Sequence, residues 1–245
     1  MMCRFISALA LSLLVSVSAI SVSAHAETNW YGGLGAGAQF PAAQSVAGVN
    51  TTAPLSPRLT DRVTYSTGWN GYLSLGYAFE NGWRAEGEIG AHRADVSSAF
   101  GDPALNIAAL CVITVPNCAQ LGPTGGRTTA LSFMFNGFRD LPVGLPFIPH
   151  VGAGLGVANV HATNIGQPRG AVFGAPYLNS QSTVFAYQLI AGLTYRLSAG
   201  VAFDLDYRYF DTASVKFAPQ TAPGSSTLST GFTSHGVTAG VRLKF

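Results

Sequence analysis

Charge is scarce in this chain. Its 245 residues include 13 Lys and Arg and 11 Asp and Glu, or 10% charged residues, against about 25% in ordinary soluble domains. A net charge of +2 leaves no strong field to attract nucleic acid. Long hydrophobic runs are missing as well, once the first 26 residues are set aside. A membrane-spanning helix needs about 20 mostly apolar residues. The two charge-free stretches, 103–126 and 170–195, are broken by proline and polar side chains. Cysteine is nearly absent, with three in all. Gly33, Gly35 and Ala38 formally match a dinucleotide fingerprint, but Pro41 follows instead of a helix, and no acidic residue stands about 20 positions on. No cofactor is expected from these residues.

What remains is an unusually apolar chain, 48% hydrophobic, with 29 glycines. Met1 to Ala26 reads as a secretory signal: Arg4 opens it, an apolar stretch follows, and Ala24, His25 and Ala26 form a small-x-small cleavage site. The mature domain is expected to cover residues 27–245. Export, high hydrophobicity and no spanning helix point to a transmembrane barrel, since in lipid only helices and closed barrels satisfy every backbone polar group. The exported compartment is oxidising, which predicts a local disulfide between Cys111 and Cys118. A loop that short contributes roughly 2–3 kcal/mol. No histidine lies near these cysteines at zinc-ligand spacing.

Alternation with period two marks eight strands. They are expected at 30–40, 68–79, 83–94, 128–138, 147–158, 184–196, 201–210 and 235–245. The connections alternate between long (41–67, 95–127, 159–183, 211–231) and short (80–82, 139–146, 197–200), as short periplasmic turns and long external loops do in bacterial barrels. The fourth long connection, rich in Ser, Thr, Gly and Pro, reads as mobile. The second carries an apolar stretch that is either a surface tip or a cover over the barrel mouth. The expected fold is therefore an all-β, eight-stranded antiparallel up-and-down transmembrane barrel with four long extracellular loops.

Charge parity sharpens this reading. Arg84, Glu86 and Glu88 share one face of the third strand, and Asp204, Asp206 and Arg208 share one face of the seventh. Arg196, Arg242 and Lys244 obey the same rule, and the opposite faces carry no charge across the strand middles. A lipid-facing Arg or Lys at the midplane costs about 2–4 kcal/mol. These nine residues are expected to form a charge network in a lumen that an eight-stranded barrel fills with side chains. Asp204 is expected to pair with Arg242, and Arg84 with Glu86 or Glu88. Ser234 and His235 are adjacent on a strand and so point to opposite faces, which denies them a joint catalytic role.

The stretches 30–37, 82–96, 147–157, 186–196 and 204–210 and the terminal strand ending at Phe245 together resemble the eight-stranded opacity-protein and surface-antigen barrels of Gram-negative bacteria. The terminal aromatic resembles the assembly signal of such barrels. The resemblance implies a place in the outer membrane, contact with lipid and lipopolysaccharide, recognition by the outer-membrane assembly machinery, and loops that meet host or environmental ligands. The resemblance bears on fold and location more than on activity; the expected role is that of a non-catalytic protein of surface-antigen, adhesion or envelope-integrity type. A small porin-like channel and a lipid-modifying enzyme are the two competing classes.

Overall fold

A computed structural model describes residues 29–49, 58–98, 124–168, 178–217 and 227–245. The signal segment, Cys111 and Cys118 lie outside the described residues. In chain order the strands are β1 (Trp30–Pro41), β2 (Gln44–Val49), β3 (Arg58–Tyr65), β4 (Gly68–Ala78), β5 (Trp83–Ser98) and β6 (Thr124–Asp140). They continue as β7 (Phe147–Pro168), β8 (Leu178–Arg196), β9 (Val201–Thr212), β10 (Val215–Phe217), β11 (Thr227–Thr230) and β12 (Thr233–Lys244).

Eight of these close a ring. Going round it, β1 pairs with β4, β4 with β5, and β5 with β6. The ring continues through β7, β8, β9 and β12, and β12 pairs back to β1, every pair antiparallel. Closure leaves no unpaired edge within the ring, which is what a sheet surrounded by hydrocarbon requires. The expected eight staves are all present, in the expected order.

At the turn end the connections are tight. Asn81 and Gly82 reverse the chain between β4 and β5, with Gly82 at φ +80°, a conformation natural to glycine. Ser198 Oγ accepts from the Gly200 and Val201 amides (3.3 and 3.1 Å) and so fixes the β8–β9 turn.

At the loop end the structure departs from expectation. The connection 41–67 contains β2 and β3, and 211–231, read as mobile, contains β10 and β11. The staves β6, β7 and β8 also run past their expected ends, β7 reaching 22 residues. The short strands pair β10–β11–β2–β3, and β3 joins the top of β5 through Thr64–Ser98 and Tyr65–Val96. The sheet thus continues beyond the ring. In sequence β2 and β11 are short and mostly small or polar, and Asp61 interrupts the Leu59, Val63, Tyr65 alternation of β3, so no clear run of alternation marks them. Pairing with neighbouring strands, which sequence does not display, supplies the order.

Sidedness is strict. Leu34, Leu73, Phe133, Leu155, Phe185, Leu189 and Leu205 all project outward and are exposed. Residues one position away turn inward: Met134, Ala186, Gln188, Ile190 and Asp206 are buried, as is Glu88 beside the exposed Ile89. Trp30, Tyr77 and Phe79 meet edge to face near the turn end (5.3 and 5.1 Å between centroids).

Candidate functional site in the barrel lumen

The lumen has two storeys. Towards the loop end it holds no buried acidic, Lys or Arg side chain among the described residues: Val96, Ala130, Met134, Val160, Phe210 and Phe232 form one buried cluster, and buried polar residues there such as Gln39, Asn70 and Thr128 are neutral. His92 stacks on Phe210 at 4.3 Å and contacts Gln39 Oε1 at 3.2 Å. Towards the turn end the lumen is ionic.

The ionic storey is built from strands on opposite sides of the ring, β5 and β9. Arg84 holds Glu86 (Nη1–Oε1 2.9 Å) and Asp140 (Nε–Oδ1 3.0 Å), and Tyr31 donates to Glu86 Oε1 at 2.6 Å. Arg208 reaches across the lumen to Glu88 (Nη1–Oε2 2.8 Å) and contacts Asp206 on its own strand at 3.3 Å. Asn136 and Gln188 each donate to Glu88 (3.0 and 3.1 Å), and Gln188 also donates to Asn136 Oδ1 at 2.7 Å. Arg242 grips both oxygens of Asp204, at 2.5 and 2.8 Å. The faces of Arg84 and Arg208 lie over the Phe138 and Tyr72 rings, at 4.4 and 3.9 Å from the centroids. Charges this far from water persist only when paired and hydrogen-bonded. Strand parity brings these pairs together: every second residue of β5 and β9 faces the axis, and the ring places the two strands opposite each other.

Seven of the nine residues singled out in the sequence occupy this network: Arg84, Glu86, Glu88, Asp204, Asp206, Arg208 and Arg242. Arg196 and Lys244 do not. Each ends its strand, is exposed, and lines the mouth at the turn end. Parity fixes the side a residue faces, while depth fixes whether it is buried; at a strand's last position water solvates the charge. Sequence reasoning missed Tyr31, Tyr72, Asn136, Asp140, His150, Gln188 and Thr194. Most of them obey the same inward parity, but neutral side chains carry too small a membrane penalty to stand out.

A vestibule of about 310 Å³ opens at the turn end, lined by Arg84, Asp140, Arg196, Arg242 and Lys244 among others. Above it lies an internal cavity of about 10 Å³ between Tyr72, His150, Asp206 and Arg208, close to the least volume that holds one water.

Gly192 shows how tight this packing is. A Cβ there would lie 2.7 Å from His150 Nε2 and from the Leu205 carbonyl oxygen. Gly192→Ala should therefore destabilise the barrel by about 1–3 kcal/mol, read from the urea midpoint of protein refolded in lipid. An unchanged midpoint would show that the site yields freely.

On the outer wall, His235 Nδ1 lies 2.6 Å from Tyr207 OH. Ser234 is buried on the other side of the same strand. The two do not form a nucleophile–base pair.

Residues 9–245 match the family model described as outer membrane protein beta-barrel domain. The chain belongs to this outer-membrane β-barrel family. The short turns therefore face the periplasm and the long connections the cell exterior, as in bacterial barrels generally. No curated protein matches the chain. Among solved structures it is similar to the outer membrane protein OprG from Pseudomonas aeruginosa, at 15% identity and a TM-score of 0.52, covering 89% of this chain and 98% of that one. Neisserial surface protein A aligns over 89% and 98% of the two chains, at 16% identity and a TM-score of 0.46. The outer membrane protease OmpT from Escherichia coli aligns over 89% and 97%, at 6% identity and a TM-score of 0.49. At these identities the OprG likeness speaks for the barrel fold alone. The protein resides in the outer membrane, with its outward aromatic and aliphatic wall in lipid.

Proposed function

We propose that this outer-membrane barrel is a surface protein of the antigen, adhesion or envelope-integrity kind, its lumen closed by its own side chains. The observation that carries the reading is the two-storey filling of the lumen. The Arg208–Glu88 pair spans the ionic storey, and Phe210, Phe232 and His92 pack above it. An ion crossing this path has to separate buried pairs and then enter a packed layer that offers it no carboxylate or guanidinium partner. With the interior committed to packing, the parts left to meet other molecules are the outer wall and the external connections.

The partners this reading implies are lipid and lipopolysaccharide around the wall, host or environmental ligands at the exterior, and the assembly machinery at the terminal strand. An exposed Phe245 ring supports the last of these; the Phe245 amide donates to the Trp30 carbonyl at 3.1 Å. Removal of residues 1–26 on export and a Cys111–Cys118 bridge in the second long connection belong to the same proposal.

Planar-bilayer recording tests it. The refolded protein is expected to give no steady conductance at moderate voltage. Reproducible single-channel steps would overturn the closed-lumen reading in favour of a small channel. Deleting the long connections one at a time, with binding to host-cell or abiotic surfaces as readout, tests the surface role. Binding unchanged by all four deletions would count against it.

A further inference from the structure

The ionic storey contains a histidine that the pairing described so far does not use. His150, on β7, is 2% exposed. Its Nε2 lies 3.0 Å from Asp206 Oδ1 and its Nδ1 lies 3.1 Å from Thr194 Oγ1. We infer that His150 is a buried proton-binding site: an imidazolium, protonated on both ring nitrogens, that links Asp204 and Asp206 as the fourth cation of the lumen.

Counting hydrogens at Thr194 carries the argument. Its hydroxyl has one hydrogen and three polar neighbours. Arg242 Nη2, at 2.8 Å, can only donate to it. Asp204 Oδ1, at 2.6 Å, belongs to a carboxylate that Arg242 grips through both oxygens, so it is ionised and can only accept. The hydroxyl hydrogen therefore goes to Asp204. Nothing is left for Thr194 to give His150, so Nδ1 must be the donor. On the other side of the ring, Asp206 Oδ2 accepts from Arg208 at 3.3 Å; a carboxyl paired with a guanidinium is a carboxylate, so its Oδ1 faces the ring as an acceptor too. Nε2 must donate there too. A neutral imidazole has one N–H, whereas this site demands two.

The ion pairs around the ring point the same way. Arg84 holds Glu86 and Asp140, Arg242 holds Asp204, and Arg208 is shared between Glu88 and Asp206. The nearer partner of Arg208 is Glu88, at 2.8 Å against 3.3 Å for Asp206. The shorter contact of Asp206 is the His150 ring, at 3.0 Å, where a proton offsets the buried negative charge. The titratable and charged groups facing the ring, among the described residues, are few. From β9 come Asp204, Asp206 and Arg208, and from β12 Arg242 by way of Thr194. Tyr72 on β4, with Arg84 and Glu86 on β5, completes the titratable lining of the small cavity beside it. Phe138 closes the apolar side at 6.0 Å between ring centroids. The bound proton joins the Arg242–Asp204 unit to the Asp206–Arg208–Glu88 unit, turning two ion-pair groups into one continuous plug.

Nitrogen-15 NMR of histidine-labelled protein, refolded in micelles, tests this. His161→Gln and His235→Gln remove two of the four ring systems after residue 26. The His150 ring is then recognised by its contacts with the Phe138 ring, as His92 is by Phe210. At neutral pH the His150 ring is expected to show two nitrogens, each coupled to its own hydrogen. One bare nitrogen would overturn the inference. Asp206→Asn removes one of the two charges that hold the proton, and is expected to reduce the ring to a single N–H. Should that variant fail to refold, the wild-type count decides alone. Two N–H groups persisting unchanged in Asp206→Asn would show that Asp206 does not hold the proton, and would sink the bridging role.

Discussion

Replacing Arg208 with methionine should cost the folded barrel about 3–5 kcal/mol, the usual penalty for removing one partner of a buried ion pair. Methionine fills much of the same space, so the loss is electrostatic more than steric. Glu88 would keep its amide donors Asn136 and Gln188 but lose the guanidinium 2.8 Å away, its one ion-pair partner among the described residues. Asp206 would lose its guanidinium contact at 3.3 Å and keep the His150 ring at 3.0 Å. The measurement is the urea midpoint in lipid vesicles, with heat-modifiable gel mobility as a check on folding. Arg208→Met combined with Glu88→Leu should lie closer to wild type than Arg208→Met alone, because an apolar replacement of a whole buried pair is often neutral. The difference, taken as a double-mutant cycle, gives the coupling between the two residues. A single variant within about 1 kcal/mol of wild type would mean that water reaches Glu88, and the closed lumen would lose its main support.

That experiment depends on a contact the sequence shows only in outline. Alternation sorted Glu88 and Arg208 to the inner face, because a bilayer penalises charge on the other side and leaves a readable mark. It did not show that the two side chains meet, since this takes the ring order and the height of each strand. Height is where the reading slipped. Arg196 and Lys244 have the right parity, but each ends its strand at the periplasmic mouth, where water replaces an ion-pair partner. Neutral lumen residues such as Asn136, Gln188 and Thr194 leave a fainter mark for the same reason: their presence on either face costs less. The strands beyond the membrane, Thr227–Thr230 among them, leave almost none. Where no bilayer selects the outward residues, a strand this short, of Thr, Leu, Ser and Thr, reads like a loop.

The same principle yields the clearest test of what surrounds the wall. Leu155 on β7 and Leu197 in the β8–β9 turn are equally exposed, each at 61%. Accessibility alone predicts equal tolerance of arginine. The fold does not. Leu155 lies within the apolar outward run Val151, Ala153, Leu155 and Val157, between Phe135 and Tyr187 on the neighbouring strands. Leu197 sits past the last residue of its strand, at the periplasmic edge. Leu155→Arg should therefore cost about 2–4 kcal/mol in lipid, while a charge near the interface costs about 0–1 kcal/mol. The expected result is a marked fall in the refolded fraction and urea midpoint for Leu155→Arg, with Leu197→Arg close to wild type. The gap should shrink in short-chain detergent, where an arginine side chain reaches water more easily. Equal behaviour of the two variants in a bilayer would mean that the outward face of β7 meets water, and the sorting of charge to the lumen would then need a cause other than lipid.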